Sequence, residues 1–477
     1  MRTAGLLSCL LLIGAAPPTP APTPDARLKA IVAPVSGTSM RGTVASLVIF
    51  GTRHTLSSQT DPKRGIGAAL NWSEAQFRRY SRACVGCLTV TRASEVVTGR
   101  RIPKPTKVTD VFAIQRGTER PNDVVIITGH IDSRVTDVMN ADEFEPGAND
   151  DGSGSAAVLE AARVLSKQRF PGTIVYALLS GEEQGLYGGK ILADYARKAG
   201  WNVVANLNND IIGNSCSSDG LCDDKHVRVF SEGPRWQGHE ELALLQRSLG
   251  GENDAPSRNI SRWLDELADR LNLGLDVRQI WRTDRFSRGG DHIEFLNAGY
   301  PAVRFSVAVE NYDWQHQDVR VENGKQYGDT IDHMDFPYLE KVTKLNVAAL
   351  AALASAPPPP EPRVEGAVST DTTLDWDAVP GAAAYIVRWR RTDGSNWTAK
   401  LAAKPNCDQI ALGIKDTRTR AVTPAANRHC RQVLKGYRVD DWVFGVSSVG
   451  ANGFESPVAS AVPGGVFRPW VKPAETK

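Results

Sequence analysis

The chain has 477 residues, of which 41% are hydrophobic and 23% charged, with a formal net charge of +2. That balance belongs to a globular protein too long for one ordinary core, so two domains are expected. The near-neutral total gives no electrostatic footprint for nucleic acid or a membrane surface.

The N-terminus opens with Arg2, an apolar run from Leu6 to Ile13, then small residues and a Pro/Ala/Thr stretch. So short a run cannot span a bilayer, which takes roughly 20 apolar residues. It suits a signal peptide over residues 1–16, cleaved near Ala15 or Ala16, and predicts an exported protein, periplasmic or secreted. Leu6-Leu7-Ser8-Cys9 has the form of a lipid-attachment box, but Cys9 stands too early, with half of the apolar run behind it. The remaining cysteines fall in three sequence-local pairs: Cys84 with Cys87, Cys216 with Cys222, and Cys407 with Cys430. In an exported protein these predict disulfides, because a zinc ribbon would need a second CxxC that the chain lacks.

From Arg27 to Ser46 the pattern allows one or two short helices, interrupted by Pro34, Gly37 and Gly42. A loop then leads into an amphipathic helix through RGIGAALNWSEAQFRRYSR. Strands are predicted at Leu88–Thr91, Val108–Ile114 and Asp123–Thr128. A helix over Ser153–Lys167 follows, with Val158, Ala162 and Leu165 on one face. Next come a strand at Thr173–Leu179, a helix at Tyr187–Lys198 and a strand at Val203–Leu207. Further strands fit His226–Phe230, Leu275–Ile280 and Pro301–Val307; helices fit Arg262–Leu273 and Phe336–Ala354, the last capped by Asp335. Strands alternating with helices predict an α/β fold with a mixed, mostly parallel sheet flanked by helices. In such sheets ligands bind beyond the carboxyl ends of the strands.

Chemistry concentrates at those ends. His130 and Asp132 follow the apolar run VVIITG, and Glu182 and Glu183 follow TIVYALLSG. Asp150 and Asp151 sit in a Gly-rich turn that opens a helix, and Asp210 closes NLNND. Taken singly, each has an ordinary explanation: a histidine in a loop, an aspartate N-cap, a solvated glutamate pair. Together, one imidazole and several carboxylates at neighbouring strand ends read as half of a metal site, since imidazoles and carboxylates suit zinc.

The ordered set HIDS, PGANDDGSG, GEEQGLYG and NLNNDIIGN resembles the di-zinc aminopeptidases, family 28 of the metallopeptidases, over roughly Leu47 to Ser355. The resemblance implies the zinc exopeptidase fold across a catalytic domain at 27–355. It also implies two zinc ions, a peptide substrate with a free N-terminus, and roles residue by residue. His130 and Asp210 would hold one zinc, Asp150 would bridge both, and Glu183 would hold the second. Glu182 would be the general base, and Asp132 would orient the His130 ring. In relatives a cis peptide follows the bridging aspartate. The last ligand, a distant histidine, is assigned to His316 in QHQD, with His292 in GGDHIEF as runner-up and His333 placed at the surface. The loop TDRFSRGGDHIEF lacks the Tyr and Cys of well-known secreted relatives, and Arg285 or Arg288 in it could reach a substrate carboxylate. Other functions remain open from sequence: a glutaminyl cyclase of the same fold, a metal-free binding ectodomain, and a carboxypeptidase or dipeptidase of the related zinc family, which HIDSRV disfavours because it lacks that family's proline two residues after HxD.

At Ala356 the chain enters APPPPEP, a stiff linker over 356–362. Beyond it the pattern is all strand. LDWDAVPGAAAYIVRWR and FGVSSVGANGFESP resemble a fibronectin type III β-sandwich over 363–465, with Trp376 and Trp389 in its core and Cys407–Cys430 stapling an insertion. No acid/base constellation is visible there. The sandwich is expected to pack on the catalytic domain or to engage a cell surface or polymer.

Overall fold

The computed structural model describes residues 22–234, 240–403, 406–409, 414–415, 422–423 and 429–461. The expected signal peptide lies outside them, as does the end of the C-terminal unit beyond Ala461.

The N-terminal part runs α1 (Pro24–Val32), α2 (Gly37–Val48), α3 (Gly65–Ala83), β1 (Thr89–Gly99), β2 (Ile102–Gln115) and β3 (Arg120–His130). It continues with α4 (Gly152–Leu165), β4 (Gly172–Leu179), α5 (Tyr187–Lys198), β5 (Asn202–Asn209) and β6 (His226–Ser231). Then come α6 (Glu240–Ser248), α7 (Pro256–Leu271), β7 (Asp276–Ile280), α8 (His292–Asn297) and β8 (Ala302–Val307). A small hairpin, β9 (Arg320–Glu322) and β10 (Lys325–Tyr327), precedes α9 (Phe336–Ser355).

The eight strands of the main sheet lie in the order β1-β2-β4-β3-β5-β8-β6-β7. Neighbours β4, β3, β5 and β8 run parallel, whereas β8 meets β6, and β2 meets both β1 and β4, antiparallel. Alternate side chains of β3 enter different cores. Val125 and Ile127 pack with α2, α4 and α9 residues such as Val44, Leu159 and Leu345, while Val124 and Ile126 pack with Leu192, Ala196 and Phe295 from α5 and α8. Burial on both faces explains why the strand reads as an unbroken apolar run. Its consequence for function is geometric: β3, β4, β5 and β8 end on the same edge of the sheet.

Several sequence expectations needed correction. The β1–β2 pair is a long hairpin, extending well past Leu88–Thr91 and Val108–Ile114 into the exposed, Arg-rich segment around Val97 and Arg101. Helix α7 begins at Pro256, ahead of Arg262, because Pro supplies its first turn and the polar run SRNIS is nonetheless buried. Helices α6 and α8 had no counterpart in the sequence reading. His333, placed at the surface from sequence, is half-buried, its ring stacked on Trp314 with centroids 4.0 Å apart.

After α9 no regular structure forms until β11 (Arg363–Glu365). There follow β12 (Thr372–Asp377), β13 (Ala382–Arg391), β14 (Ala399–Ala403), β15 (Asn406–Gln409), β16 (Ile414–Lys415), β17 (Val422–Thr423), β18 (His429–Leu434), β19 (Trp442–Gly450) and β20 (Ala459–Ala461). Two antiparallel sheets, β11-β12-β18-β15 and β14-β13-β19-β20, enclose Leu374, Trp376, Val387, Trp389 and Phe444. The short β16–β17 pair stands apart. Three disulfides form as expected: Cys84–Cys87, Cys216–Cys222 and Cys407–Cys430.

The sandwich is docked on the α/β unit. Arg390 donates two 2.7 Å hydrogen bonds to the Asp254 carboxylate, with both side chains almost fully buried. Ser460 and Asn259 extend that contact, and Phe454 enters the core of the α/β unit. No helix among the described residues is long and apolar enough to cross a membrane.

Candidate metal centre

Each residue singled out at a strand end arrives at one place. His130 closes β3, Glu182 and Glu183 follow β4, and Asp210 follows β5. The turn before α4 brings Asp150, and the loop after β8 brings His316. Two groups of potential ligands result: His130, Asp150 and Asp210, and Asp150, Glu183 and His316. Within each group the donor atoms lie within 4.8 Å of one another. Asp150 belongs to both. Its Oδ1 is 3.2 Å from His130 Nε2 and its Oδ2 is 2.9 Å from His316 Nε2. Asp210 Oδ1 stands 3.9 Å from His130 Nε2, and Glu183 Oε1 stands 2.8 Å from His316 Nε2.

The backbone explains how Asp150 is aimed. Asp151 caps α4, accepting the Gly154 N–H at 2.8 Å and the His130 N–H at 2.9 Å, so the helix start is tied to the end of β3. That approach needs glycine: a Cβ at Gly129 would meet the Gly154 carbonyl carbon at 2.6 Å. The Asp150–Asp151 peptide is cis. Asp329 accepts the N–H groups of Asn149 at 2.9 Å and Asp150 at 2.6 Å. Burial pushes the Asp329 carboxyl up to about 7.

The donor set fits zinc. His130 Nδ1 donates to the Asp132 carbonyl at 3.0 Å, which leaves the Nε2 lone pair facing Asp150 and Asp210. Burial would lower the His130 pKa, but Asp132, Asp150 and Asp210 raise it well above the usual range. Burial would likewise lower His316, but Glu183 and Asp150 push it up to about 9. Both rings thus face clustered negative charge of the kind that divalent ions neutralise.

Asp132 acts differently from a simple ring partner. Its carboxylate is 3.6 Å from His130 Nδ1, farther than its own carbonyl. Instead it accepts the Thr55 hydroxyl at 3.0 Å and the N–H groups of Glu182 at 3.3 Å and Glu183 at 3.2 Å. Asp132 therefore fixes the turn that carries both glutamates. The Glu182 carboxylate has no hydrogen-bond partner among the described residues and lines the cleft. Burial first, then Glu183 and Asp210, hold its pKa well above the ordinary carboxylate range against the pull of His130.

His292 does not join either group. It is buried, with Nε2 2.8 Å from the Thr283 carbonyl, and burial lowers its pKa. Sequence reasoning missed three supports. Arg304, fully buried in β8, pairs with Asp210 at 2.9 Å and Asp284 at 2.8 Å. Arg134 donates to Glu183 Oε2 at 2.9 Å and lies 2.6 Å from His316 Nδ1. The third is Asp329. A lone Arg inside the apolar strand PAVRFS was the available signal for Arg304; nothing local marked the other two.

Comparison with known proteins gives the family. The model of peptidase family M28 matches residues 110–350. A probable zinc metalloprotease from Leptosphaeria maculans is 40% identical over 448 residues, covering 93% of this chain and 98% of that protein. One from Pyrenophora teres f. teres is 41% identical, covering 92% of this chain and 88% of that protein. In fold the chain is similar to the LapA aminopeptidase of Legionella pneumophila, with a TM-score of 0.52 at 19% identity, covering 69% of this chain and 75% of that one. A centre of carboxylates and imidazoles at the strand ends of this α/β fold defines a zinc-dependent peptidase. The chain belongs to peptidase family M28.

Proposed function

We propose that this protein is an exported aminopeptidase that removes N-terminal residues from peptides with two zinc ions per chain. The observation that carries the reading is Asp150, which turns one oxygen to each of two ligand groups. In this reading His130 and Asp210 would hold one ion, Glu183 and His316 would hold the other, and Asp150 would be the ligand common to both. The cleft beside them, about 330 Å³, accepts a residue or two of an extended substrate rather than a folded chain.

Zinc, when bound, lowers the pKa of water and polarises the scissile carbonyl. The side chains do the rest. Glu182, whose carboxylate has no hydrogen-bond partner among the described residues and lines the cleft, takes a proton from the attacking water and returns it to the leaving amine nitrogen as the C–N bond breaks. A raised pKa makes the Glu182 carboxylate a stronger proton acceptor than an ordinary glutamate. Asp132 holds the Glu182–Glu183 turn in place, and Arg304 and Arg134 keep Asp210 and Glu183 aimed. The two four-stranded sheets of the C-terminal sandwich, β11-β12-β18-β15 and β14-β13-β19-β20, support a fibronectin type III-like module fixed against the catalytic unit.

The second ligand group around His316 favours the peptidase over a single-zinc glutaminyl cyclase. The test is a panel of aminoacyl nitroanilides, N-acetylated counterparts and a Gln-initiated peptide. Release of nitroaniline only from free amines supports the reading. Hydrolysis of the blocked substrates, or pyroglutamate as the sole product, overturns it.

A further inference from the structure

Beyond the metal ligands, the cleft is lined by Arg101, Arg134, Arg285 and Arg288. Arg134 is committed to Glu183 and His316. Arg285 is committed too, to Asp284 Oδ1 at 3.0 Å and Glu310 Oε2 at 3.2 Å, which removes it as a free binding group. Arg288 is not. It shares Glu310 with two other guanidinium groups, Arg228 at 2.5 Å and Arg285 at 3.2 Å, and lies the farthest away at 3.5 Å. One carboxylate cannot neutralise three guanidinium groups, and Arg288 is the most exposed of them, with 32% of its side chain open. Its other contact is to a neutral acceptor, Gln315 Oε1 at 3.3 Å. Gln315 in turn donates to Asp150 Oδ2 at 3.2 Å, which puts Arg288 one side chain away from the shared ligand.

Arg101 adds a second cation from the opposite direction in sequence, the turn of the β1–β2 hairpin. It donates to the Glu183 carbonyl at 2.7 Å and meets no carboxylate within salt-bridge distance among the described residues. The carboxylates of the cleft, Asp150, Glu183 and Asp210, are turned toward the two ligand groups, and Glu182 stands beside them. Positive charge is thus left over on the wall a substrate must pass.

We propose that Arg288, assisted by Arg101, binds a carboxylate of the peptide substrate, so that the cleft selects peptides carrying an anion within a residue or two of the scissile bond. This rests on the aminopeptidase reading and adds its substrate class. The anion has two sources, the α-carboxylate of a dipeptide or an acidic side chain, and both are recognised by the same planar donors.

The test uses the full-length, zinc-loaded enzyme on four substrates: a neutral dipeptide, its C-terminal amide, and amide-capped tripeptides with Glu or Gln in second position. Wild type is expected to prefer one carboxylate-bearing member of a pair by at least about tenfold in kcat/KM. Arg288→Gln should erase that ratio and Arg288→Lys restore part of it, while Arg101→Gln should reduce it. The ratio is read within each variant, so a general loss of folded enzyme does not move it. Preference in the first pair assigns the α-carboxylate, and in the second the side chain. Cleavage of all four peptides without preference overturns the inference and leaves the aminopeptidase reading standing. Cleavage of none overturns both.

Discussion

The carboxylate of Asp132 accepts the backbone N–H of Glu183 at 3.2 Å, tying the turn after β3 to the turn after β4. The residue after His130 by two thus governs where the second strand delivers its glutamates. Asp132→Asn replaces one acceptor oxygen with an amide that cannot accept from both N–H groups and the Thr55 hydroxyl. Activity should fall by about 10–100-fold, the usual effect of losing a partner that orients metal ligands. Steady-state assay beside zinc analysis checks this; unchanged kcat/KM would mean the turn holds itself.

The Glu182 carboxylate accepts no hydrogen bond among the described residues, and it lines the cleft. Glu182→Gln keeps the shape and removes the proton acceptor. Zinc content should stay at the wild-type level while kcat drops by at least about 10²-fold, within the range assigned to a general base. A variant that has also lost metal would mark Glu182 as a ligand instead.

His316 and His292 compete for the last ligand position in the sequence, and the structure separates them. His316 Nε2 lies 2.8 Å from Glu183 and 2.9 Å from Asp150, whereas His292 Nε2 lies against the Thr283 carbonyl. His316→Ala is expected to lose zinc and activity, and His292→Gln to retain zinc. Atomic absorption on the two purified variants decides between them; the reverse pattern would reassign the ligand.

Arg390 and Asp254 join the sandwich to the α/β unit with both side chains out of water. Arg390→Met strands the Asp254 charge, which costs about 3–5 kcal/mol for a broken buried pair. Chemical denaturation should show either a lower midpoint or an early transition as the sandwich separates. A midpoint equal to that of wild type would show that Ser460 and Phe454 hold the interface alone.

The fold was legible because β3 and β4 are buried on both faces, giving apolar runs that end abruptly in His130 and Glu182. The helix after Asp151 was legible for a similar local reason, an aspartate cap within a glycine-rich turn. What remained hidden depends on contacts between distant segments. Arg134 reaches His316, and Asp329 reaches the backbone of Asp150, across loops with no periodicity. The extension of the β1–β2 hairpin was hidden because its outer half is exposed and polar, and so carries no burial pattern. Arg285 was named with Arg288 as a substrate contact, yet only a structure reveals that Glu310 and Asp284 already engage it.

The central claim is that one carboxylate, Asp150, serves two metal positions. The number of zinc ions bound per chain in the purified protein, measured for wild type and Asp150→Ala by mass spectrometry of the metal, tests it most directly. Two per wild-type chain, falling below one in the variant, is the expected result, since both ligand groups lose their common member. A single zinc in wild type, or a variant that keeps its full complement, would contradict it.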